Sequence, residues 1–180
     1  MISEIAEIGN SVLREKSLEI TNLNDPVIKE LDKSLKDTLF YTLYGIGLAA
    51  PQIFQNKRAF VIALRKTPTR PDTEAFGPVV MLNPEIVSET GAKKKMMEGC
   101  LSIGNIYGEV ERRSKVKVKW YDTEGKENTE EFTGLLGRVI QHEYDHLEGI
   151  LFTDLADPKS LMSEREYRLM IEKKKAPKKD

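Results

Sequence analysis

The stretch from Leu135 to Leu147 limits what this chain can fold into more than any other. Leu135, Leu136, Val139, Ile140, Tyr144 and Leu147 recur at helical spacing, and Gly149 stands where such a helix would stop. The same stretch carries His142-Glu143-Tyr144-Asp145-His146, and both histidines of the protein are spent there. Residues four apart on a helix lie one above the other on one face. Two imidazoles so placed reach a single metal ion at ~2.0–2.1 Å, and the neighbouring glutamate reaches a water on it. The bland alternative is an exposed, charged helix face without a ligand. The apolar stripe and the use of both histidines argue against that. The fold must therefore wrap a core around this helix and still leave its histidine face open to a metal, and the chemistry indicated is hydrolysis of an amide-type bond.

The rest of the chain reads as short extended segments with a helix near each end. Asp25-Pro26 has the form of a helix start, and Val27, Ile28, Leu31, Leu35, Leu39 and Leu43 follow at helical spacing. This helix is expected to end near Tyr44, where Gly45-Ile46-Gly47 breaks it. Ala59–Leu64 predicts a strand and Lys66–Gly77, with Pro68 and Pro71, a loop. Val79–Asn83 and Glu85–Glu89 predict short strands on either side of Pro84. Val116, Val118 and Trp120 alternate with Lys115, Lys117 and Lys119, the pattern of a half-buried strand; Asp122–Lys126 then predicts a hairpin turn and Glu130–Thr133 the return strand. Asp157-Pro158 repeats the helix-start signal and predicts a third helix to about Lys173. The expected architecture is α+β: antiparallel sheets packed around a central metal-binding helix, with an N-terminal helix and a C-terminal helix. One catalytic domain is expected over residues 1–172, followed by a mobile lysine-rich tail over 173–180.

Composition narrows the function classes. At 180 residues with a net charge of −1, the chain suits one globular domain and has no overall field to draw it to nucleic acid or a membrane. No apolar run approaches the ~18 residues of a membrane span. The segment Met1–Glu7 lacks the basic and apolar parts of an export signal and the arginines of a transit peptide. A cytoplasmic location is therefore expected, with no DNA and no membrane as partner. The one cysteine, Cys100, rules out an intramolecular disulfide.

A catalytic metal site of this kind usually has three protein ligands, and two histidines leave one to find. An extended metalloprotease pattern would place a third histidine where Phe152 stands. Another would take a glutamate from a later helix, and Glu164, Glu166 and Glu172 are available. The third option is Cys100, in Glu98-Gly99-Cys100-Leu101-Ser102; taken alone, a lone cysteine is usually a small buried hydrophobe. A further island, Gly45-Ile46-Gly47-Leu48-Ala49-Ala50-Pro51-Gln52, serves as a helix stop but lacks the lysine of a phosphate-binding loop, and its glycines also let a substrate approach the backbone.

Taken in order, Gly45–Gln52, Glu98–Ser102 and Gln141–His146 resemble the three signature motifs of the peptide deformylases. The resemblance spans about Ile5 to Asp154. It implies an enzyme that removes the formyl group from the N-terminal formylmethionine of new polypeptides, on a compact α+β domain. It implies Cys100, His142 and His146 as metal ligands, with Fe(II) the expected ion in the cell and zinc, nickel or cobalt able to occupy the site. Glu143 would be the general acid and base, and Gln52 with the backbone N–H of Leu101 would stabilise the oxyanion. Ile46, Gly47 and Gly99 would line the substrate. Leu135, Val139 and Met96 are candidate walls for a methionine-sized pocket. One of Arg112, Arg113 and Arg138 is expected to pair with Glu98 and hold the Cys100 loop.

The chain departs from the family pattern at Gly104-Asn105, where a proline usually follows the second motif, at Phe54, where glycine is common, and at Gly9-Asn10, where Asp-Pro is common. None is a proposed ligand. The partners implied are N-formylmethionyl nascent peptides, with a weak ribosome contact through the lysine-rich tail. Two other readings are an H-E-x-x-H metallopeptidase with a downstream glutamate ligand, and a non-catalytic relative that binds peptide N-termini.

Overall fold

A computed structural model describes residues 1–67, 70 and 72–175. Among these residues the sheet has six strands, β1 (Gly47–Ala49), β2 (Ala59–Leu64), β3 (Phe76–Cys100), β4 (Ile103–Tyr121), β5 (Glu127–Thr133) and β6 (Met162–Ser163), accompanied by four α-helices, α1 (Val27–Tyr41), α2 (Gly134–Leu147), α3 (Phe152–Leu155) and α4 (Glu164–Lys175). All pairings between these strands are antiparallel, in the order β1-β2-β3-β4-β5 with β6 on β4. The α+β expectation holds, with the named strands joined in one sheet in place of separate ones.

In this sheet β3 and β4 form a very long hairpin whose register slips repeatedly. Pro84 does not split β3, as the sequence reading expected; the strand runs on for 25 residues and absorbs the proline in a register shift between Leu82 and Glu85. Such irregularities bend a strand and increase its twist. The hairpin base packs with β5 over Val116, Val118, Trp120 and Phe132, and its tip, at Cys100, curls towards α2. The hairpin turn predicted at Asp122–Lys126 is present, with Asp122 Oδ1 accepting from the Glu124 and Lys126 amides.

The two main helices lie against opposite clusters. α1 buries Ile28, Leu31, Leu35 and Leu39 against Val61, Ala63, Val80 and Leu82. Asp25 Oδ1 accepts from Val27 N–H at 2.9 Å, the capping role read from the sequence. The helix stops at Tyr41, before the predicted Tyr44, because Thr42 turns extended and its hydroxyl donates to Leu39 O at 2.7 Å. α2 places Val139, Ile140 and Leu147 in the cluster with Phe60, Ile62 and Phe132. It closes with Gly149 N–H on His146 O and Ile150 N–H on Asp145 O.

The end of the chain corrects the sequence reading. Asp157-Pro158 opens only a short 3-10 turn, Pro158–Ser160; Met162-Ser163 then pairs with Ile106-Tyr107, and α4 begins at Glu164. The cap signal was real, but strand pairing to β4 interrupts the helix. α4 runs through Lys175, so the first residues assigned to the tail are helical; residues 176–180 lie outside those described.

An N-terminal strap ties the first two sequence islands to the end of α2. Ala6 N–H donates to Gln52 O, Ile8 N–H to Ser102 O, and Ser17 N–H to Leu147 O, each at 2.8 Å. Asn10, where Asp-Pro is common, accepts from Val12 N–H and caps the turn at Ser11–Arg14. Phe54, where glycine is common, sits at φ +60, the left-handed region that glycine adopts without cost. Among the described residues, no helix is long and apolar enough to cross a membrane.

Candidate metal centre

Cys100 is the last residue of β3, and Leu101-Ser102 make the turn to Ile103. Gly99 pairs with Tyr107 while Cys100 pairs with Ile103, so Gly104, Asn105 and Ile106 bulge out of the ladder. The missing proline falls in this bulge, where Asn105 adopts φ +62. The tip meets the face of α2 that carries both histidines. The donor atoms of Cys100, His142 and His146 lie within 4.8 Å of one another, and Cys100 Sγ is 3.2 Å from His146 Nε2. A tetrahedral ion bound by one sulfur and two nitrogens needs donors roughly 3.3–3.6 Å apart, so modest closure suffices. Glu164, Glu166 and Glu172 sit on α4 outside this cluster.

The electrostatics fit a cation. Burial pushes the Cys100 thiol up, yet the charge of His146 and hydrogen bonds from both histidines hold it well below its ordinary value. Burial pushes His142 down, and hydrogen bonds to Cys100 and Glu98 raise it well above its ordinary value. The site thus favours a thiolate at Cys100 beside a protonated His142, and a divalent ion takes the place of such a proton when it binds. His146 Nδ1 is buried without a hydrogen-bond partner among the described residues.

Glu98 backs His142, one of the three candidate ligands. Its Oε2 is 3.0 Å from His142 Nδ1, which leaves Nε2 free for a metal. Arg112 donates to both Glu98 oxygens, at 2.7 and 2.9 Å, and Arg138 donates to Oε1 at 2.6 Å. Two of the three candidate arginines therefore meet Glu98; Arg113 instead donates to Gly91 O at the surface. Arg112 also donates to Asp145 at 2.8 Å, and Arg138 to Lys94 O and Val110 O. Burial alone would raise the Glu98 carboxyl, but the hydrogen bonds from His142 and Arg112 hold it far below the usual carboxylate range.

Glu143 stands in a different setting. Its Oε2 is buried and has no hydrogen-bond partner among the described residues. Burial pushes the carboxyl up to about 7 against the pull of His142 and His146. Its other oxygen crowds Gly47: a Cβ there would lie 2.3 Å from Oε1, so any side chain at this position would displace the Glu143 carboxyl. Gln52 is fully buried, with Oε1 accepting from Ala49 N–H at 2.8 Å and Nε2 aimed at Ser102 Oγ (3.0 Å) and Cys100 Sγ (3.5 Å). The Leu101 side chain faces Gly45, 3.3 Å from where a Cβ would be, and the Tyr107 ring packs on Gly99.

Ile46, Leu135 and Val139 share one apolar cluster, while Met96 lies outside it and is 45% exposed. Ile46 O accepts from Ala63 N–H at 2.9 Å, so the peptide group of Gly47, next along the strand, faces the open edge of β1. The sequence reading left Ser102, Asp145 and Tyr107 without roles. The first two lie inside the motifs, but nothing in their spacing distinguishes a buried hydrogen-bond partner from a surface polar residue.

The same arrangement has known counterparts. Residues 2–161 match the family described as polypeptide deformylase. The chain is 44% identical over 155 residues to a peptide deformylase of Desulfitobacterium hafniense, covering 86% of this chain and 95% of the relative. It is 34% identical over 170 residues to peptide deformylase 2 of a Nostoc species, covering 94% of each. Its fold matches the crystal structure of a class I type b peptide deformylase from Acinetobacter baumannii with Met-Ala-Ser bound, at a TM-score of 0.81 and 34% identity over 86% of this chain and 98% of that one. The chain belongs to the polypeptide deformylase family, metal-dependent hydrolases that remove the formyl group from the N-terminal formylmethionine of newly made polypeptides.

Proposed function

We propose that Cys100, His142 and His146 hold one divalent ion, Fe(II) in the cell, and that Glu143, Gln52 and Leu101 carry the deformylation beside it. The observation that carries this reading is the convergence of one sulfur and two imidazoles within 4.8 Å, next to a buried glutamate with an unpartnered oxygen. A soft thiolate with two imidazoles suits Fe(II), and also zinc, nickel or cobalt. When bound, the ion supplies Lewis acidity and brings the deprotonation of water towards neutral pH.

The protein residues divide the remaining work. Glu143 accepts the proton of the attacking water and returns it to the departing amine, leaving formate and a free N-terminus. A carboxyl near 7 is suited to moving a proton in both directions at neutral pH. As the water oxygen adds to the formyl carbon, the carbonyl oxygen becomes negative, and Gln52 Nε2 with the Leu101 N–H donates to it. Ser102 and the Ala49 amide hold the Gln52 side chain, so that donor needs little reorganisation. The peptide lies along the open edge of β1 between Gly47 and Gly99, with the methionine side chain towards Ile46, Leu135 and Val139. The Acinetobacter relative was solved with Met-Ala-Ser bound, which supports a peptide with methionine first as the ligand.

Residues 1–172 form the catalytic domain in this reading, working in the cytoplasm on nascent chains, with a weak ribosome contact through the lysines of 173–180. Co-sedimentation with ribosomes that survives deletion of 173–180 removes the tail from the account. The central test is formate release from formyl-Met peptides by protein purified anaerobically with Fe(II), alongside Cys100→Ala. Wild type is expected to release formate and C100A to lose both metal and activity. Full metal loading in C100A would move the third ligand elsewhere, and no formate from loaded wild type would overturn the reading.

A further inference from the structure

Next to Tyr44, the residue before the Gly45–Gln52 segment, lies a cation that no carboxylate answers among the described residues. Arg70, between β2 and β3, donates from Nη2 to Tyr44 O at 2.7 Å. Burial holds its guanidinium below the ordinary range, Arg65 pushes the same way, and the Tyr107 phenol acts in the other direction. Arg65 is committed elsewhere: it donates to the carbonyls of Leu39, Thr42 and Gly45 and lies over the Phe40 ring at 4.8 Å. Arg168 reaches the same region, with Tyr44 and Tyr107 in its electrostatic range, but Glu164 on its own helix neutralises it, with Nε 2.9 Å from Oε1.

Arg70 stands between the two segments that flank the substrate course. Tyr44 leads directly into Gly45-Ile46-Gly47. Tyr107 covers Gly99, and its ring stacks on Tyr167 of α4 with centroids 4.2 Å apart. An extended chain advances roughly 3.3 Å per residue. A peptide whose formyl group lies at the metal beside Gly47, with its methionine at Ile46, therefore brings its second residue level with Gly45 and its third level with Tyr44, whose carbonyl Arg70 holds.

We propose that Arg70 gives this enzyme a preference for an acidic side chain at the second or third residue of the formylated peptide. The inference rests on the proposed course of the substrate along β1. Arg70 acts on binding through charge, and Tyr107 and Tyr167 provide the aromatic wall beside it. A half-exposed ion pair of this kind changes kcat/KM by about two- to fivefold.

The test compares formyl-Met-Xaa-Ser and formyl-Met-Ala-Xaa peptide amides, with Xaa as Asp, Ser or Lys, on wild type, Arg70→Gln and Arg70→Glu. The amide end removes the terminal carboxylate as a competing anion. In wild type, Asp is expected to exceed Lys by about two- to fivefold at one of the two positions, with the ratio shrinking as salt is raised. R70Q is expected to abolish the ratio and R70E to invert it. Equal values for Asp and Lys at both positions in wild type, or a preference that R70Q leaves intact, overturn the proposal. Should a variant fold poorly, the wild-type ratio and its salt dependence decide alone. Absence of formate from every peptide would instead strike the reading of the site itself.

Discussion

Glu98 and Glu143 are buried to nearly the same degree, at 7% and 4% exposure, yet their carboxyls are pushed in opposite directions. Glu98 gathers two arginines and His142, and every lone pair it turns inward has a donor. Glu143 has a glycine on one side and an oxygen without a partner on the other. Burial is the leading influence on both. The difference lies in whether the surrounding chain supplies donors. A satisfied buried carboxylate is locked in one charge state and one position, which suits a group that orients a metal ligand. An unsatisfied one is free to accept a proton and a water, which suits a group that takes part in the reaction.

Removing the reacting member should have the largest effect and the narrowest one. Glu143→Ala is expected to lower formate release by at least roughly 10²–10⁴. Metal content should be unchanged, because among the described residues Glu143 makes no hydrogen bond to Cys100, His142 or His146, the three proposed ligands. Folding stability at pH 8 should not fall, since the change removes a buried polar atom that has no partner. Loss of metal in E143A, measured by elemental analysis of the purified protein, would erase the distinction between the two glutamates.

Removing the positioning member should spread further through the structure. Glu98→Ala strips Arg112 and Arg138 of a shared acceptor while both stay buried. Breaking a buried ion cluster from one side costs about 3–5 kcal/mol. His142 also loses the partner that fixes its ring, which should weaken metal affinity by about 10–100-fold. Asp145 retains Arg112, so the helix face should not collapse entirely. Denaturant unfolding together with metal titration checks both effects. A variant as stable and as well loaded as wild type would show that Glu98 is dispensable, and the contrast with Glu143 would lose its meaning.

This division of labour was only partly legible in the sequence. The spacing of His142 and His146 on an apolar helix is a local property, and it was readable because helical periodicity needs no partner to be seen. Cys100 is different. Its place depends on a hairpin tip curling back from a register slip, which no local pattern encodes, and it was reached through the order of three motifs. Glu98 was expected to find an arginine, yet the sequence could not say that two would come from separate elements, Arg112 on β4 and Arg138 on α2, nor that Arg113 would face outwards. The third helix was misplaced for the same reason. Asp157-Pro158 carries a genuine cap, and the pairing of Met162-Ser163 with Ile106-Tyr107, a contact distant along the chain, overrode it.

The smallest effect offers the sharpest separation of the two carboxyls, because it turns on sign. The Glu143 carboxyl rises from 4.5 to about 7 on folding. Below its ordinary value it is protonated in both the folded and the unfolded chain. As pH rises between those values the unfolded chain gives up the proton and the folded one keeps it, so stability is lost across that window and the loss is complete above about 7. The shift corresponds to on the order of 3 kcal/mol at most. Glu98 works the other way: its folded carboxyl lies below the ordinary range, so its contribution is intact above that range and disappears as pH falls through the folded value. Metal-free wild type and Glu143→Gln, compared by thermal unfolding from about pH 5 to about pH 8, should therefore diverge steadily, with E143Q gaining on wild type as pH rises. The titrations of Cys100, His142 and Glu98 are common to both proteins and largely cancel in the difference. A constant gap across that range would mean that Glu143 ionises in the folded chain as readily as in the unfolded one, and that the two buried glutamates differ in their neighbours but not in their charge.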